Sequence, residues 1–353
     1  MLLPDGLRTP ALVVDLDRLE VNLARMAAGA AAGGFALRPH AKTHKCLQVG
    51  SRQLAAGAVG LTVATVAEAE VFAEICDDLF IAYPLWADAA RGARLRALRD
   101  RVRLSVGVDS ADGAAALARH VGPGLDVLVE IDSGQHRTGV APEQAGEVAA
   151  AAARAGLAVR GVFTFPGHSY APGAGAPAAH DEAHALAAAA AALHAVGLDA
   201  LIRSGGSTPS IGHIAAGTVT EARPGVYVFG DAQQIELGAM GADQVALAAV
   251  GTVVHRGPEK VVLDAGSKVL GADRPAWAAG FGYVPAHPEA RVIALAEHHA
   301  TLRWPGELPS LGSPLAVVPN HVCNAVNLAD ELLLTRAGRV IEVWPVAARG
   351  ANT

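Results

Sequence analysis

Residues 35–64 read FALRPHAKTHKCLQVGSRQLAAGAVGLTVA, and this stretch indicates the fold class. A short apolar run at 35–38 leads into a polar loop, then into a segment of helical length, and then into a second apolar run at 60–64. That order is typical of a β-α-β unit, whose two strands run parallel. The alternation persists from about residue 11 to residue 230, so we expect an α/β fold with a parallel sheet.

A (β/α)8 TIM barrel is the architecture that this alternation favours, because helix-length segments separate most of the candidate strands. An open, doubly wound sheet is the alternative, but its glycine fingerprint after the first strand is missing from the sequence. A strand-like run at Ala11–Asp15 and a helix candidate at Leu16–Ala32 precede the barrel strands. The barrel strands are predicted at 35–38, 60–64, 78–82, 102–108, 125–131, 158–164, 200–204 and 217–222.

A second domain follows the barrel. Beyond residue 230 the pattern changes to apolar runs punctuated by Gly, Pro and Asp, which is typical of a mostly β domain. We therefore divide the chain into a barrel at 9–230 and a β domain at 231–353, and we expect residues 1–8 to pack with the β domain. The strand candidates of this domain are Val245–His255, Lys260–Asp264, Arg291–Ala296, Leu315–Pro319 and Val340–Val346.

The composition argues against several classes of protein. The 353 residues carry a net charge of −6, so no basic surface is left to neutralise nucleic-acid phosphates. No long run of strongly apolar residues predicts a membrane span, and residues 1–10 lack the pattern of a signal peptide. The three cysteines, Cys46, Cys76 and Cys323, are widely spaced and do not predict a disulfide framework. We therefore expect a protein of the reducing cytoplasm.

Unusual residues follow five of the predicted barrel strands. Active-site groups of such barrels come from the loops after the strands, and these loops all open on one rim. The sequence therefore predicts an active site at that rim. The five clusters are Arg38–Lys45, Asp132–Gly139, Gly167–Tyr170, Ser204–Thr208 and Arg223–Tyr227.

One of these loops, Ser204–Thr208, has the small residues and backbone N–H groups that suit a phosphate. A phosphate cradle with a lysine opposite predicts pyridoxal phosphate held as a Schiff base, and Lys42 is the candidate lysine. Each of these sequence features also has a simpler interpretation. Lys42 could be a solvated surface charge, Arg137 could be an ion-pair partner of Asp132, and Ser204–Thr208 could be an ordinary turn.

The β domain carries a candidate metal motif, Pro319-Asn320-His321-Val322-Cys323. On a strand, residues i and i+2 share a face, so His321 and Cys323 together could hold Zn²⁺ with water or substrate in the remaining positions. A buried cysteine beside an interfacial histidine is the alternative. Glu297 and His299 offer further donors, whereas we interpret His180 and His184 as a polar helix face, because a zincin motif has Glu directly after its first histidine.

With these residues the chain resembles the fold-type III pyridoxal-phosphate enzymes, whose N-terminal barrel is of alanine racemase type. Within them it is similar to the metal-activated D-threonine aldolases and the eukaryotic-type D-serine dehydratases. The motifs that carry the resemblance extend over nearly the whole chain. They are Thr9-Pro10 with Asp15, Arg38–Lys45, Gly167–Tyr170, Ser204–Pro209, Glu221–Gly225, Asp264–Lys268, Pro319–Cys323 and Trp344–Val346.

The resemblance implies roles for individual residues. Lys42 carries the cofactor, Arg137 approaches its phenolic oxygen, and Arg223 matches the position that faces the pyridine nitrogen in alanine racemases. His321 and Cys323 match the ligands of a divalent metal, with Zn²⁺ ahead of Mn²⁺ and Mg²⁺, and His-x-Cys is the arrangement of the dehydratases. A homodimer is also implied, with each active site between the barrel of one subunit and the β domain of the other. The implied cofactor contacts are Lys42, Arg137, Tyr170, Ser207, Thr208, Arg223, Gly225 and Val226.

The implied substrate is a D-3-hydroxy-α-amino acid. If a base such as His168 or a metal-bound hydroxide takes the hydroxyl proton, the Cα–Cβ bond breaks and gives glycine and an aldehyde, as in a D-threonine aldolase, which we place first. If Lys42 instead takes the α-proton, the hydroxyl leaves and the enzyme is a D-serine, D-threonine or 3-hydroxyaspartate dehydratase. A racemase that uses Lys42 and Tyr170 and a non-catalytic pyridoxal-phosphate-binding protein are the remaining alternatives.

Overall fold

The computed structural model describes residues 2–4 and 6–353. Met1 and Asp5, which belong to the stretch used for the signal-peptide prediction, lie outside the described residues. The chain forms two compact units. The barrel unit comprises Met26–Lys42, Val49–Gly225 and Ala351–Thr353, and the sheet unit comprises Met1–Arg25, Thr43–Gln48 and Val226–Gly350.

Strands and helices alternate up to residue 205, and strands dominate after residue 245. The strands are β1 (Ala11–Asp15), β2 (Ala36–Leu37), β3 (Leu61–Val63), β4 (Asp78–Pro84), β5 (Arg103–Val108), β6 (Asp126–Glu130), β7 (Ala158–Phe163), β8 (Ile202–Gly205), β9 (Glu221–Ala222), β10 (Leu247–Gly257), β11 (Lys260–Leu263), β12 (Gly282–Tyr283), β13 (Arg291–Leu295), β14 (Ala300–Arg303), β15 (Pro314–Pro319), β16 (Glu331–Arg336) and β17 (Arg339–Pro345). The helices are α1 (Leu16–Gly33), α2 (Leu47–Ala55), α3 (Val66–Phe72), α4 (Ala89–Arg99), α5 (Ala111–Val121), α6 (Ala145–Arg154), α7 (Gly175–Ala195), α8 (Ala232–Glu236), α9 (Ser267–Leu270) and α10 (Val322–Leu328).

The barrel unit is built on a parallel sheet in the order β2-β9-β8-β7-β6-β5-β4-β3, so each strand from β3 to β9 lies beside its neighbour in the chain. The two ends of this order also meet. His40, just after β2, forms a parallel bridge with Thr62 of β3, and Thr62 N donates to Pro39 O at 2.9 Å. All eight predicted barrel strands are present, and the (β/α)8 prediction is confirmed. A helix is present in most of the connections, but β8 and β9 are joined by a loop with only a short 3₁₀ turn at Ile211–His213.

Capping residues explain where several barrel helices begin. Thr65, Asp88 and Ser110 have extended backbone, and each side chain accepts a hydrogen bond from the backbone N–H three residues later. These contacts satisfy N–H groups that have no partner inside the helix. Because each cap lies shortly after the end of a strand, the loops stay short and the helices pack back onto the sheet.

The sheet unit is a mixed sheet in the order β13-β14-β11-β10-β1-β16-β17, and β15 pairs with both β10 and β12. Its strand pairs are antiparallel except for β1 with β16. The prediction of a mostly β C-terminal domain is confirmed. The units divide the chain differently from the sequence-based boundaries, because β1 pairs with β10 and β16 and is thereby part of this sheet.

A buried polar network crosses the interior of the barrel. Arg38 donates to Glu221 at 2.9 Å and to Asp78 at 2.7 Å, and Glu221 accepts from Ser204 at 2.8 Å. Ser204 in turn accepts from Arg223 at 2.8 Å. Barrel interiors are usually filled by apolar side chains, so this network is a departure from the usual core and links β2, β4, β8 and β9. Among the described residues, no helix combines the length and the apolar character needed to cross a membrane.

Candidate active site

Three side chains from the predicted rim converge on the ring of Phe165, which follows β7. The Lys42 ammonium nitrogen and the Arg137 guanidinium carbon each lie 5.6 Å from the ring centroid, and the Tyr170 ring lies 6.2 Å away. Lys42 belongs to a 3₁₀ turn at Ala41–Thr43 directly after β2. The structure therefore brings together residues from three loops that are distant in sequence. Phe165 itself was missed, because a single aromatic residue after a strand carries no distinctive sequence signal.

Asp132 holds the loop that follows β6. Its carboxylate accepts from the backbone N–H groups of Gly134 and His136 and lies 2.7 Å from His136 Nδ1. These contacts lower the pKa of Asp132 against the opposing effect of burial. Asp132 is thus engaged by His136 and by the backbone of its own loop.

Glu130 ends β6 below this loop and was not identified from the sequence. Only 4% of its surface is exposed, and its Oε2 atom has no hydrogen-bond partner within the described residues. Burial raises the pKa of Glu130 to about 7, although Thr138, Arg223 and Arg137 act in the opposite direction. A buried carboxyl group that titrates near neutrality is typical of functional sites. Glu130 also lines a small cavity of about 10 Å³ with Arg137.

The predicted phosphate cradle is a buried loop rich in hydroxyl groups. Ser207 Oγ lies 2.8 Å from Ser169 Oγ and 2.8 Å from Ser210 Oγ, and Thr208 is also buried. Ser169 comes from the loop after β7, so two rim loops meet here. The hydroxyl groups and glycines of this loop fit a phosphate, which needs several small donors at close range.

Glu182 of α7 supports the cradle from behind. Its Oε1 atom accepts from Gly206 N at 2.7 Å, and a Cβ atom added at Gly205 would lie 2.3 Å from the same oxygen. Burial raises the pKa of Glu182 to about 7 despite the opposing hydrogen bond from Gly206 and the charge of Arg223. The Gly206 N–H is therefore engaged by Glu182, and the loop packs directly against this carboxyl group.

The other predicted cofactor residues lie near the end of β9. Arg223 is buried, with its guanidinium 5.4 Å from the Phe163 ring and its Nη2 atom donating to Thr164 O. Gly225 is half-buried, and Val226 begins a 3₁₀ turn at Val226–Val228 and is itself buried. These contacts with Phe163 and Thr164 hold the Arg223 side chain inside the barrel.

His168 lies in the 3₁₀ turn Gly167–Ser169 after β7. Its Nε2 atom is 3.2 Å from Asp181 Oδ2 on α7, whereas its Nδ1 atom is buried and has no hydrogen-bond partner within the described residues. An imidazole with one nitrogen engaged and the other unpartnered is suited to accept a proton from a bound molecule.

The structure corrects the predicted backbone of the metal motif. The sequence places His321 and Cys323 on a strand, but β15 ends at Pro319, and His321 is the N-cap residue of α10. Cys323 therefore lies in the first turn of that helix. The two side chains still interact, and Cys323 favours the charged form of His321, because a cap residue and the first turn share one end of the helix. Cys323 Sγ also lies 3.3 Å from Thr43 Oγ1.

Two aspartates support this motif and were missed by sequence reasoning. Asp273 Oδ2 lies 2.6 Å from His321 Nδ1, and Asp231 accepts from the backbone N–H of Val322 at 3.2 Å. Burial opposes a charged imidazole here, but Cys323 and Asp273 outweigh it and raise the pKa of His321. A carboxylate on the second nitrogen is the usual outer partner of a metal-binding histidine. The donor pair therefore fits a borderline-soft divalent ion.

The other histidine-rich segments are not gathered at this motif. Glu297 and His299 are exposed, and Glu297 pairs with Lys268 at 2.9 Å. Within residues 2–4 and 6–353, no cluster of three or more His, Cys, Asp or Glu side chains is arranged around a metal position. His180 and His184 lie on the exposed face of α7 with their Nε2 atoms 3.1 Å apart, in agreement with their interpretation as a polar helix face.

Comparison with known proteins identifies both parts of the chain. The profile of the alanine racemase N-terminal domain matches residues 14–233, and that of a serine dehydratase domain matches residues 246–335. D-threo-3-hydroxyaspartate dehydratase from Delftia sp. strain HT23 is 35% identical over 349 residues, which cover 90% of this chain and 91% of the relative. D-threonine aldolase from Arthrobacter sp. is 34% identical over 357 residues, which cover 97% of this chain and 93% of the relative.

Solved structures agree with this assignment. The crystal structure of D-threonine aldolase from Filomicrobium marinum superposes with a TM-score of 0.86 at 32% identity, covering 98% of this chain and 97% of that one. Alanine racemases superpose with lower TM-scores, such as 0.68 at 12% identity, and support the fold alone. The chain therefore belongs to the fold-type III pyridoxal-phosphate enzymes with an alanine racemase N-terminal domain, a family that includes lyases of the aldolase and dehydratase types.

Proposed function

We propose that the protein is a pyridoxal-phosphate- and divalent-metal-dependent lyase that cleaves D-threonine-like 3-hydroxy amino acids to glycine and an aldehyde. The observation that supports the aldolase assignment is the Nδ1 atom of His168 at the barrel rim, which is buried and has no hydrogen-bond partner among residues 2–4 and 6–353. Retro-aldol cleavage needs a base for the substrate hydroxyl, and a dehydration does not. A nitrogen that is sheltered from water and that no described residue engages suits that role.

Cofactor binding is assigned to residues of the barrel rim. Lys42 supplies the amine, Arg137 supplies a cation beside it, and Ser207 and Thr208 supply hydroxyl donors for a phosphate. Gly225 and Val226, Tyr170 and Arg223 complete the proposed contact set. Bound pyridoxal phosphate supplies an electron sink at Cα, and a bound divalent ion supplies a Lewis acid at the substrate hydroxyl.

The proton chemistry belongs to the chain's own side chains. His168 accepts the hydroxyl proton through Nδ1 and holds it while the aldehyde forms. Lys42 then returns a proton to Cα as glycine is released. Phe165, which is half-buried, lies beside both Lys42 and Arg137, and its ring face attracts each cation.

A dehydratase is the second candidate, and Cys323 favours it. The solved structures of D-threo-3-hydroxyaspartate dehydratase include two alanine variants, one of a histidine and one of a cysteine two positions later, and the cysteine variant is in a metal-free form. That spacing is the spacing of His321 and Cys323. In this reaction Lys42 removes the α-proton and the hydroxyl leaves from Cβ.

Product analysis distinguishes the two reactions. The purified protein is supplied with pyridoxal phosphate and Zn²⁺ or Mn²⁺ and incubated with D-threonine or D-serine. Acetaldehyde and glycine from D-threonine support the aldolase. Formation of 2-oxobutanoate from D-threonine, or of pyruvate from D-serine, with ammonia would establish the dehydratase instead. Absence of both product pairs, with D-threo-3-hydroxyaspartate tested in parallel, would contradict the lyase proposal.

The metal site is tested by metal content. We expect Cys323→Ala to lower bound Zn²⁺ after dialysis from about one ion per chain to near zero, because a thiolate is one of only two protein donors proposed. Cys46→Ala is the matched control, since Cys46 is a buried thiol outside the motif. Inductively coupled plasma mass spectrometry measures the zinc content of both variants, and no activity assay is needed. Unchanged zinc in Cys323→Ala would identify this residue as a packing cysteine.

We also propose a cytoplasmic homodimer, in which each active site lies between the barrel of one subunit and the β domain of its partner. The family resemblance supports the dimer, and Cys46, Cys76 and Cys323, which form no disulfide within the described residues, agree with a reducing compartment. Light scattering coupled to gel filtration tests the dimer, because a mass of one chain at micromolar concentration would contradict it.

A further inference from the structure

We propose that Asp181 is a positioning residue, which holds the His168 imidazole in the tautomer with a proton on Nε2 and a free lone pair on Nδ1. The inference rests on the proposed function, in which His168 accepts the proton of the substrate hydroxyl. It adds a second residue from α7, beside Glu182, to a site built mainly from the loops after the strands.

The contact between the two side chains fixes the tautomer. Asp181 Oδ2 lies 3.2 Å from His168 Nε2. An ionised carboxylate can only accept hydrogen bonds, so Nε2 must be the donor. In a neutral imidazole the other nitrogen then carries the lone pair. That nitrogen, Nδ1, is the buried atom without a partner in the described part of the chain. Asp181 therefore selects the form of His168 that can accept a proton at the sheltered position.

The ring orientation is fixed from the opposite side by the loop after β6. Gly134 has φ +124°, and a Cβ atom added there would lie 2.9 Å from His168 Cε1. Only glycine allows the backbone to pass so close to the imidazole in this conformation. The ring is thus enclosed between this loop and Asp181, and it cannot rotate freely to exchange the positions of its nitrogens.

Helix α7 connects this contact to the rest of the site. Asp181 directly precedes Glu182, whose carboxyl group supports the cradle loop at Gly206. The Asp181 side chain is 54% exposed, so it adds little to stability, and its effect is expected on the orientation of His168. Helix α7 therefore positions both His168, the proposed base, and the proposed phosphate loop.

Asparagine at position 181 is the sharpest test. In Asp181→Asn the amide NH₂ can donate to Nε2, which favours the reverse tautomer with the proton on Nδ1. We expect a kcat that is about 10- to 100-fold lower in the holoenzyme with D-threonine, with a KM that changes less than about twofold. Asp181→Glu is expected to recover most of the rate. His184→Ala, on the exposed face of the same helix, is the control with unchanged rate.

Nitrogen-15 NMR of the histidine rings provides a readout independent of catalysis. The His168 signal is identified by its absence in His168→Asn, and we expect it to report Nε2–H in the parent protein and Nδ1–H in Asp181→Asn. The same tautomer in both proteins would overturn the proposal, and so would a change of tautomer without a loss of rate. If the parent protein cleaves no D-3-hydroxy amino acid, the proposed function fails, while the NMR result still decides whether Asp181 sets the tautomer.

Discussion

Lys42 and Arg137 place two cationic groups beside the single ring of Phe165. An aromatic face attracts a cation, so each contact is favourable, although the two like charges repel each other. An anionic ligand between them would remove that repulsion. At the scale of single residues, this arrangement explains why a lysine and an arginine from different loops are expected to serve one cofactor.

The assignment of Lys42 can be tested by covalent labelling. The chain has four lysines, Lys42, Lys45, Lys260 and Lys268, so the labelled position is easily resolved. After incubation with pyridoxal phosphate and reduction with borohydride, we expect peptide mass spectrometry to find the cofactor on Lys42. The label should be lost in Lys42→Ala and kept in Lys268→Ala, which removes an exposed lysine. A label of full stoichiometry on any other lysine would contradict the assignment.

At the scale of elements, the end of β8 depends on α7. The cradle loop begins where Gly205 and Gly206 pack against the buried carboxyl group of Glu182. Because the two glycines have no side chain between loop and helix, the backbone of the cradle loop lies close to α7. The Ser207 hydroxyl group of this loop then meets the Ser169 hydroxyl group of the loop after β7. The position of the proposed phosphate donors is therefore a consequence of helix packing as well as of loop sequence.

We expect Gly205→Ala to weaken binding of pyridoxal phosphate about tenfold or more, because its Cβ would lie 2.3 Å from Oε1 of the buried Glu182, so that either this carboxyl group or the loop must move. A tenfold change corresponds to about 1.4 kcal/mol. Gly212→Ala is the matched control, since a Cβ there meets no atom within 4 Å. Fluorescence titration of each apo variant with pyridoxal phosphate measures its affinity for the cofactor. Equal affinities in the two variants would show that the loop does not depend on this contact.

At the scale of the whole molecule, two buried carboxyl groups should make stability depend on pH. Burial raises the pKa of Glu130 and of Glu182 to about 7 from 4.5. Between pH 4.5 and 7 these two groups therefore keep protons in the folded protein that they have released in the unfolded chain, so their contribution to the free energy of unfolding falls as the pH rises. Each shift corresponds to about 3 kcal/mol at most.

Glu182→Gln should remove the contribution of Glu182, because the amide does not ionise and can still accept from Gly206 N. We expect the variant to match the parent protein near pH 5 and to be more stable at pH 8. Urea denaturation at pH 5, 6, 7 and 8 measures the difference. Glu147→Gln, at an exposed position of α6, is the control with no such trend. A constant difference between Glu182→Gln and the parent across this range would contradict the expectation.

The barrel strands were predictable because each is short, apolar and bounded by polar loops, and because parallel strands joined by helices allow few topologies. Asp231 and Asp273 were not predictable as partners of the metal motif. They lie 90 and 48 residues before His321, and neither belongs to a local pattern. The strand assignment of His321 failed for a related reason. A histidine can serve as an N-cap without the Ser, Thr, Asp or Asn that usually marks a helix start.

The sequence by itself determined the fold class, the two-part organisation, the family resemblance and the candidate residues, because these depend on periodicity and on short motifs that are local in the chain. Only the tertiary structure decided that Lys42, Arg137 and Tyr170 lie around Phe165 and that Glu182 supports Gly206. It also decided that Asp181 engages one nitrogen of His168, while the other has no partner in the described part of the chain. These contacts join segments far apart in sequence. Their partners are chosen by packing and by the need to satisfy buried polar groups, which no local pattern records.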